Sequence, residues 1–301
     1  MGKAFCADST NQIFAKSREG LWEGDKVSDV VLVKELAAKL WHARIHGGKV
    51  PRVAFPELAS VDEGYAVQRD SERLARLPRA GWKVGATSIS VQALFGIDQP
   101  ATAPMFEPFC FISPATVPIL IDQHTNLEAE FAFQFGDDLP PRKLRYDREE
   151  ILAAVAAVVP AIEIVGCRFE GGFERLGAMQ LVADMTAHSA FVRGQPVRIW
   201  QGMDLRTHPV ALRKNNRIVA KGVGANVLGD PIAVLEWAAN HLSTLGEPIL
   251  TGEIVTTGTC TGLTQASPGD RFVADFAELG VVEVSLVRAG RSLIHPLVSA
   301  G

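Results

Sequence analysis

The stretch "LEAEFAFQF", residues 127–135, places two carboxylates inside a run of apolar side chains. Side chains alternate between the two faces of a β-strand, so Glu128 and Glu130 share one face while Leu127, Ala129 and the phenylalanines share the other. Two like charges about 6 to 7 Å apart repel each other and are costly to remove from water. The spacing therefore indicates either a solvated face of a sheet or a site for a divalent cation.

A third carboxylate favours the cation. Glu163 is the only charged residue in "AVVPAIEIVG", residues 157–166, an apolar run typical of a buried strand. A glutamate in such a strand must be paired, protonated or bound to a metal. Glu128, Glu130 and Glu163 would together form an all-oxygen site suited to Mg²⁺ or Mn²⁺, with positions left for water or a chelating substrate.

Composition limits the kind of protein. The chain has 301 residues, 47% hydrophobic and 21% charged, with a formal net charge of -4, which is typical of a globular protein. No basic patch indicates nucleic acid and no apolar run is long enough for a membrane span. The polar first residues do not resemble a signal peptide, and the four scattered cysteines indicate neither a zinc cage nor a disulfide framework. We expect a cytoplasmic protein that binds a small molecule.

Capping signals predict the helices. We expect one helix from Asp29 to about residue 46, others after Ser60 and Ser88, one over residues 148–158 stopped by Pro160, and one over residues 231–245. Strands are predicted near residue 83, over residues 127–135 and 161–169, and as a hairpin within residues 269–287. Helices near the start of the chain, followed by many strands, predict an α+β fold. We expect an extension over residues 1–26 and one domain over residues 27–301, divided into a helical α+β portion (27–115) and a β-rich metal-binding core (116–301).

The order and spacing of several segments resemble one enzyme family. These segments are "GWKVGATS", "VQALFGIDQP", "LEAEFAFQFGDDL", "PAIEIVGCRF", "VADMTAHSAFVRG", "ANVLGDP", "WAANHLSTLGEPI" and "GDRFVADFAELGVVEV". They are similar to segments of the 2-oxopent-4-enoate hydratase and 4-oxalocrotonate decarboxylase family, within the fumarylacetoacetate hydrolase superfamily. The resemblance covers nearly everything after about residue 30.

The resemblance implies a curled, mixed β-roll that binds Mg²⁺ or Mn²⁺ through Glu128, Glu130 and Glu163. It also implies that Lys83 is catalytic and that the substrate is a 2-hydroxydienoate or 2-oxoenoate from the breakdown of aromatic compounds. The resemblance further implies assembly as a homo-oligomer and association with a related decarboxylase or hydratase. From the residues alone, Lys83 could equally form a surface salt bridge.

The expected chemistry begins with chelation of a divalent ion by the carboxylate and C2 oxygen of a 2-oxo acid, where the metal stabilises negative charge on that oxygen. Lys83 would act as a general acid or a fixed positive charge. Addition of water at C4 makes the enzyme a hydratase, which is our main prediction. Loss of a distal carboxylate as CO₂ would make it a decarboxylase; an acylpyruvate-type C–C hydrolase and a non-catalytic partner subunit are further alternatives.

Two segments depart from the family pattern. Ala101 stands where many hydratases carry an aspartate, and Met185-Thr186-Ala187-His188 replaces a more polar run. His188 could be a substitute acid or base because its ordinary pKa lies near neutrality, or it could be structural. These departures put the water addition, rather than the metal site, in question.

The remaining candidates surround the substrate. Asp184 is predicted to be catalytic, near the substrate carboxylate or a metal-bound water. Thr87, Thr259 and Cys260 are predicted to bind the substrate, although Thr87 could be only a turn cap. Arg168 and Arg193 could anchor a second carboxylate, but we favour surface charges for both.

Overall fold

Two mixed β-sheets and six helices make up the part of the chain that the structure describes. A computed structural model describes residues 23–52, 58, 60–290 and 292–293. The predicted α+β fold is confirmed. Most of the predicted N-terminal extension lies outside the described residues, and the division near residue 116 stays a prediction.

The helices begin and end largely at their capping signals. Ser60, Ser88, Asp147 and Asp230 each accept a hydrogen bond from a backbone N–H of the first turn, as their positions predicted. No described helix is long and apolar enough to cross a membrane. The helices are α1 Glu23–His46, α2 Val61–Ala75, α3 Ile89–Phe95, α4 Arg148–Ala154, α5 Ala178–Ala183 and α6 Pro231–Leu245.

The strands are β1 Arg79–Gly85, β2 Ala101–Phe106, β3 Cys110–Ile112, β4 Ala115–Ile119, β5 Asn126–Phe135, β6 Val155–Val165, β7 His188–Arg193, β8 Pro209–Lys214, β9 Arg217–Val223, β10 Ile254–Thr259, β11 Thr264–Gln265, β12 Arg271–Asp275 and β13 Val281–Arg288. They form a larger sheet in the order β2-β1-β10-β5-β6-β7-β3, with β11 also paired to β5, and a smaller sheet in the order β4-β13-β12-β8-β9. Most neighbouring strands are antiparallel.

Strand β5 lies at the centre of the larger sheet and has the predicted alternation. Its apolar face, including Leu127, Phe131 and Phe133, belongs to the main core that also contains residues of the smaller sheet and α6. Its other face carries Glu128 and Glu130. The main core therefore fixes the orientation of the carboxylates, because a shift of one residue would bury them in that core.

The predicted boundaries of α4 and β6 were wrong. The helix predicted over residues 148–158 ends at Ala154, and β6 begins at Val155 and runs through Pro160. The β-branched residues Val155, Val158 and Val159 favour a strand, and the carbonyl of Pro160 still accepts a hydrogen bond from the Gly194 N–H at 2.8 Å. The strand predicted to reach residue 169 ends at Val165.

Helix α1 lies on a second, smaller core. Its predicted apolar face buries Leu36, Leu40 and Ala43, and this core also contains Val165 at the end of β6 and Leu181 of α5. The helix begins at Glu23 rather than Asp29. The second core thus closes one end of the larger sheet, next to the carboxylates.

Candidate metal centre and active site

Three carboxylates from two neighbouring strands converge on one point. Oxygens of Glu128, Glu130 and Glu163, one from each residue, lie within 4.8 Å of one another. The antiparallel pairing of β5 with β6 sets Glu128 directly opposite Glu163, and Glu130 lies two residues further along the same face of β5. The sequence predicted this set, and the strand register explains how residues 33 or more positions apart come together.

The carboxylates are costly in the absence of a cation. Glu130 and Glu163 are 1% and 0% exposed. Burial, together with repulsion by Glu163, raises the pKa of Glu128 to about 7 against the attraction of Lys83, and burial also raises the pKa of Glu130. Burial would raise the pKa of Glu163 as well, but Lys83 and His188 lower it. A bound divalent ion would stabilise the ionised forms of all three.

Lys83 lies beside the carboxylates on β1 and is 3% exposed. Its Nζ lies 3.1 Å from Oε1 of Glu163. Burial alone would lower the pKa of Lys83, yet the charges of Glu163, Glu128 and Glu130 raise it. The surface salt bridge considered from the sequence is therefore wrong, because the ion pair is buried and the lysine is held as an ammonium.

His188, at the start of β7, is the second partner of Glu163. Its Nδ1 lies 2.9 Å from Oε1 of Glu163, and the ring is fully buried. Burial lowers the pKa of His188 to about 4, so the neutral ring donates its Nδ1–H to the carboxylate. Both partners use Oε1, and Oε2 of Glu163 is buried with no hydrogen-bond partner among the described residues. An unpartnered carboxylate oxygen in an all-oxygen donor set fits a hard divalent cation.

A cavity of about 420 Å³ opens over this centre. Lys83, Glu128 and Glu130 line it together with the predicted substrate-binding residues Thr87, Thr259 and Cys260. Burial raises the pKa of the Cys260 thiol, which keeps this cysteine protonated. The structure thus brings most of the predicted site residues into one cavity.

Gly258 allows the end of β10 to approach the carboxylates. Its φ of +94° is in the left-handed region, and a Cβ there would collide with the hydroxyl of Thr87. From this position the Gly258 N–H donates to Oε2 of Glu130 at 3.1 Å. Only glycine provides both the backbone angle and the space.

Asp184 lies behind the cavity wall and is not among the described residues that line it. It is 2% exposed and is held by Arg168. The Arg168 Nε and backbone N–H donate to its two carboxylate oxygens at 2.5 and 2.9 Å, and Nη2 donates to its carbonyl at 2.7 Å. Arg168 is 0% exposed, so the surface charge predicted there was wrong. The partner carboxylate makes this burial tolerable.

The segment after Asp184 has a backbone that the sequence did not predict. Met185, Thr186 and Ala187 have φ of 53°, 48° and 63°, a left-handed conformation that costs each non-glycine residue about 1–2 kcal/mol. Thr186 and Ala187 line the cavity. Arg168 holds both ends of this segment, because its Nη1 also donates to Ser189 Oγ at 2.9 Å. The altered motif at this position was the only signal of it in the sequence.

The chain is similar to known proteins along most of its length. Residues 84–287 match the family model described as the fumarylacetoacetate hydrolase C-terminal domain. The chain belongs to this fumarylacetoacetate hydrolase family. The resemblance inferred from the sequence segments is confirmed.

Individual members of the fumarylacetoacetate hydrolase family are similar to this chain over nearly their whole length. A 2-keto-4-pentenoate hydratase of Paraburkholderia xenovorans is 32% identical over 254 residues, covering 83% of this chain and 93% of the relative. A 4-oxalocrotonate decarboxylase of Pseudomonas putida is 28% identical, covering 85% and 97%. The solved structure of the 4-oxalocrotonate decarboxylase from Pseudomonas putida G7, complexed with magnesium and adipate, superposes with a TM-score of 0.77 at 27% identity, covering 86% of this chain and 98% of that one. Another structure of that decarboxylase holds calcium and acetate.

Ala101, where the resemblance to hydratases implies an aspartate, lies in an apolar environment. It begins β2, is 2% exposed and belongs to a small cluster with Tyr65 and Val182. It is not among the described residues that line the cavity. The cavity wall therefore gains no carboxylate from this position.

Replacing Arg168 with methionine is expected to lower the free energy of unfolding by about 3–5 kcal/mol, because Asp184 would remain buried without its partner. Turnover should fall as well, since the left-handed segment that lines the cavity would lose its anchor. Urea denaturation and steady-state kinetics measure the two effects. The control is Arg79→Met, which removes an arginine that is 14% exposed and paired with Glu253 at 2.7 Å. A change at Arg168 no larger than the change at Arg79 would contradict the anchoring role.

Replacing Glu128 with glutamine should stabilise the metal-free protein at pH 8. Because burial raises the folded-state pKa of Glu128 to about 7, above the ordinary value of a glutamate, the wild type loses stability as the pH rises from the ordinary pKa to the raised one. Glutamine avoids the loss, and we expect a gain of about 1–3 kcal/mol at pH 8 and none below pH ~4.5.

Saturating Mg²⁺ should reverse this order, since glutamine is a poorer ligand than a carboxylate and binding stabilises the folded state. Thermal denaturation at both pH values, with EDTA or Mg²⁺, tests the crossover. Glu170→Gln, which changes an exposed carboxylate, should show neither effect. Equal stability of wild type and Glu128→Gln at pH 8 without metal would refute the prediction.

Proposed function

We propose that this protein is a divalent-metal-dependent hydratase that adds water to a 2-hydroxydienoate or 2-oxoenoate. The observation that carries the proposal is the convergence of Glu128, Glu130 and Glu163 beside a buried lysine at one cavity. The relatives named 2-keto-4-pentenoate hydratase, up to 32% identical, support this activity.

Glu128, Glu130 and Glu163 would hold Mg²⁺, or Mn²⁺ in its place. The unpartnered Oε2 of Glu163 and the all-oxygen donor set support this assignment. When bound, the ion supplies Lewis-acid stabilisation of negative charge at the C2 oxygen of the substrate.

Lys83 is proposed as the general acid or fixed positive charge of the reaction. Its ammonium lies at the carboxylate end of the cavity and its pKa is raised by the surrounding glutamates, so it carries a proton at neutral pH. From there it can neutralise charge on the C2 oxygen or deliver a proton to the carbon skeleton. The hydroxyls of Thr87 and Thr259, which line the cavity, are proposed to bind the substrate carboxylate, and Cys260 is proposed to contact the substrate beside them.

His188 and Asp184 are proposed to act through other residues. His188 donates to Oε1 of Glu163, which would leave Oε2 of that carboxylate to hold a cation. Asp184 accepts a hydrogen bond from the Arg168 side chain and thereby fixes the segment that carries Thr186. Neither is among the described residues that line the cavity, which supports positioning roles over direct proton transfer.

A vinylogous decarboxylase is the second candidate. It is favoured by the alanine at position 101, because loss of CO₂ needs no group to activate water. In that reaction the bond to the distal carboxylate breaks and its electron pair moves through the conjugated system to the C2 oxygen. Lys83 would serve both reactions.

The proposal is tested with 2-hydroxypenta-2,4-dienoate and Mg²⁺. A hydratase should remove the dienol absorbance and form 4-hydroxy-2-oxopentanoate, a gain of one water by mass spectrometry. Release of CO₂ from 2-oxohex-3-enedioate, without turnover of the dienoate, would identify the decarboxylase instead.

If Mg²⁺ binds and neither compound reacts, the hydratase and decarboxylase proposals both fail. An acylpyruvate-type C–C hydrolase or a non-catalytic partner subunit would then be the remaining readings. Homo-oligomeric assembly, association with a related decarboxylase or hydratase, and a cytoplasmic location stay predictions from the sequence.

A further inference from the structure

We propose that the cavity contains an apolar subsite for the distal end of the substrate. The preferred substrate would then be a 2-oxo or 2-hydroxydienoic acid with one carboxylate and an alkyl substituent that extends it beyond five carbons. This inference rests on the proposed function, because it assumes that the 2-oxo acid end binds at the three glutamates.

The strand register gives the cavity a direction. Glu163 and Val165 are two residues apart on β6, so they lie on the same face about 6 to 7 Å apart. Val165 pairs with Asn126, just as Glu163 pairs with Glu128. The loop after β10 reaches the same end, because Thr264 pairs with Leu127. A substrate whose head lies at the glutamates can therefore extend toward Val165 and this loop.

Four apolar side chains of the cavity wall lie together at the end that Val165 marks. Val165 and Leu181 belong to the second core, and Phe95 and Phe173 pack against that core. The wall is thus supported from behind by α1 and α5 and is a built surface rather than a set of loose side chains. The larger apolar side chains that line the cavity as a whole include Val91, Phe95, Val165, Phe173, Leu181 and Leu263.

Charge argues against a second carboxylate at this end. Lys83 is the sole cationic side chain among the described residues that line the cavity, and its Nζ lies 3.1 Å from Oε1 of Glu163, at the opposite end. A distal carboxylate would lose its hydration against apolar side chains with no cation to pair with. An alkyl group would gain from the same burial.

The volume argues in the same direction. The cavity measures about 420 Å³, within the range of roughly 300–1,000 Å³ that encloses drug-sized ligands. A five-carbon acid would leave much of this space unfilled. A longer apolar tail would fill it and contact the phenylalanines.

Binding tests the subsite independently of turnover. With saturating Mg²⁺, calorimetric titration should give a Kd for 2-oxooctanoate at least about tenfold lower than for 2-oxopentanoate, since each methylene in an apolar pocket contributes severalfold to tenfold. 2-Oxohexanedioate should bind at least about tenfold more weakly than 2-oxooctanoate. Equal binding of the three acids would overturn the inference.

Turnover gives the matching readout. The value of kcat/KM for 2-hydroxyocta-2,4-dienoate should exceed that for 2-hydroxypenta-2,4-dienoate by at least about tenfold, and 2-hydroxyhexa-2,4-dienedioate should be the poorest substrate. If the five-carbon dienoate is the best substrate, the inference fails while the proposed function stands. If the binding order holds but no dienoate is hydrated, the proposed function fails and the subsite stands.

A charge placed at the distal end should reverse the preference. Leu263 is 55% exposed, so Leu263→Arg should fold normally. Its Kd for 2-oxohexanedioate should fall by about tenfold or more and its Kd for 2-oxooctanoate should rise. Leu144→Arg adds the same charge at a remote residue that is 75% exposed and should leave both values unchanged. Identical behaviour of the two variants would overturn the inference.

Discussion

Replacing Lys83 with methionine is expected to lower kcat for the dienoate by about 10³-fold, within the range known for loss of a general acid. Methionine keeps the apolar length of the side chain but carries no proton. The lysine is 3% exposed and its Nζ lies 3.1 Å from Glu163. No other cationic side chain of the described residues lines the cavity. Stopped-flow measurement of dienol absorbance under saturating Mg²⁺ gives kcat directly.

Metal affinity separates this role from a structural one. Because the Lys83 ammonium repels a divalent cation held by the same glutamates, the methionine variant should bind Mg²⁺ as tightly as the wild type or more tightly. The control is Lys214→Met, on β8, where the lysine pairs with Asp270 at 2.9 Å outside the cavity. Normal kcat in the Lys83 variant would remove the lysine from the mechanism. Loss of Mg²⁺ binding would instead show that the lysine mainly maintains the site.

Local sequence signals predicted much of the fold because helix caps and strand alternation depend mainly on residues close together in the chain. The caps of α2 and α6 were visible as Ser60 and Asp230, each of which satisfies a free N–H in its own first turn. The alternation along β5 was visible because one of its faces packs in the main core. The boundary near residue 155 was missed because the capping box at Asp147 predicts where a helix begins and not where it ends, and the valines that follow join a sheet whose other strands are distant in sequence.

The residues of the site were likewise predictable only where a local sequence signal marked them. Glu128 and Glu130 were found from their spacing, and Glu163 was found because a lone charge in an apolar strand needs a partner. The identity of that partner depends on the pairing of β6 with β7 and on the approach of β1, so the contacts with His188 and Lys83 were beyond the sequence. Arg168 was misjudged because an isolated arginine is usually exposed, and only the fold brings Asp184 against it.

Replacing Glu163 with glutamine is expected to weaken Mg²⁺ binding by at least about 100-fold. The variant keeps the shape of the side chain but loses the charge of one ligand, and removal of a charged partner from a buried site costs about 2–5 kcal/mol. A second effect adds to the first. Without Glu163, the ammonium of Lys83 is attracted only to Glu128 and Glu130, where it competes with the cation for the remaining carboxylates.

Calorimetric titration with Mg²⁺ and with Mn²⁺ measures the loss of affinity for each ion. Glu253→Gln is the matched control, because Glu253 is also buried, 6% exposed, but pairs with Arg79 outside the site. The Glu253 variant should lose stability without losing metal affinity, whereas the Glu163 variant should lose metal affinity at any temperature at which it is folded. A carboxylate that contacts a metal ion contributes its charge to the binding, so removing that charge must weaken the affinity. An affinity of Glu163→Gln within twofold of the wild type would therefore show that the cation binds elsewhere.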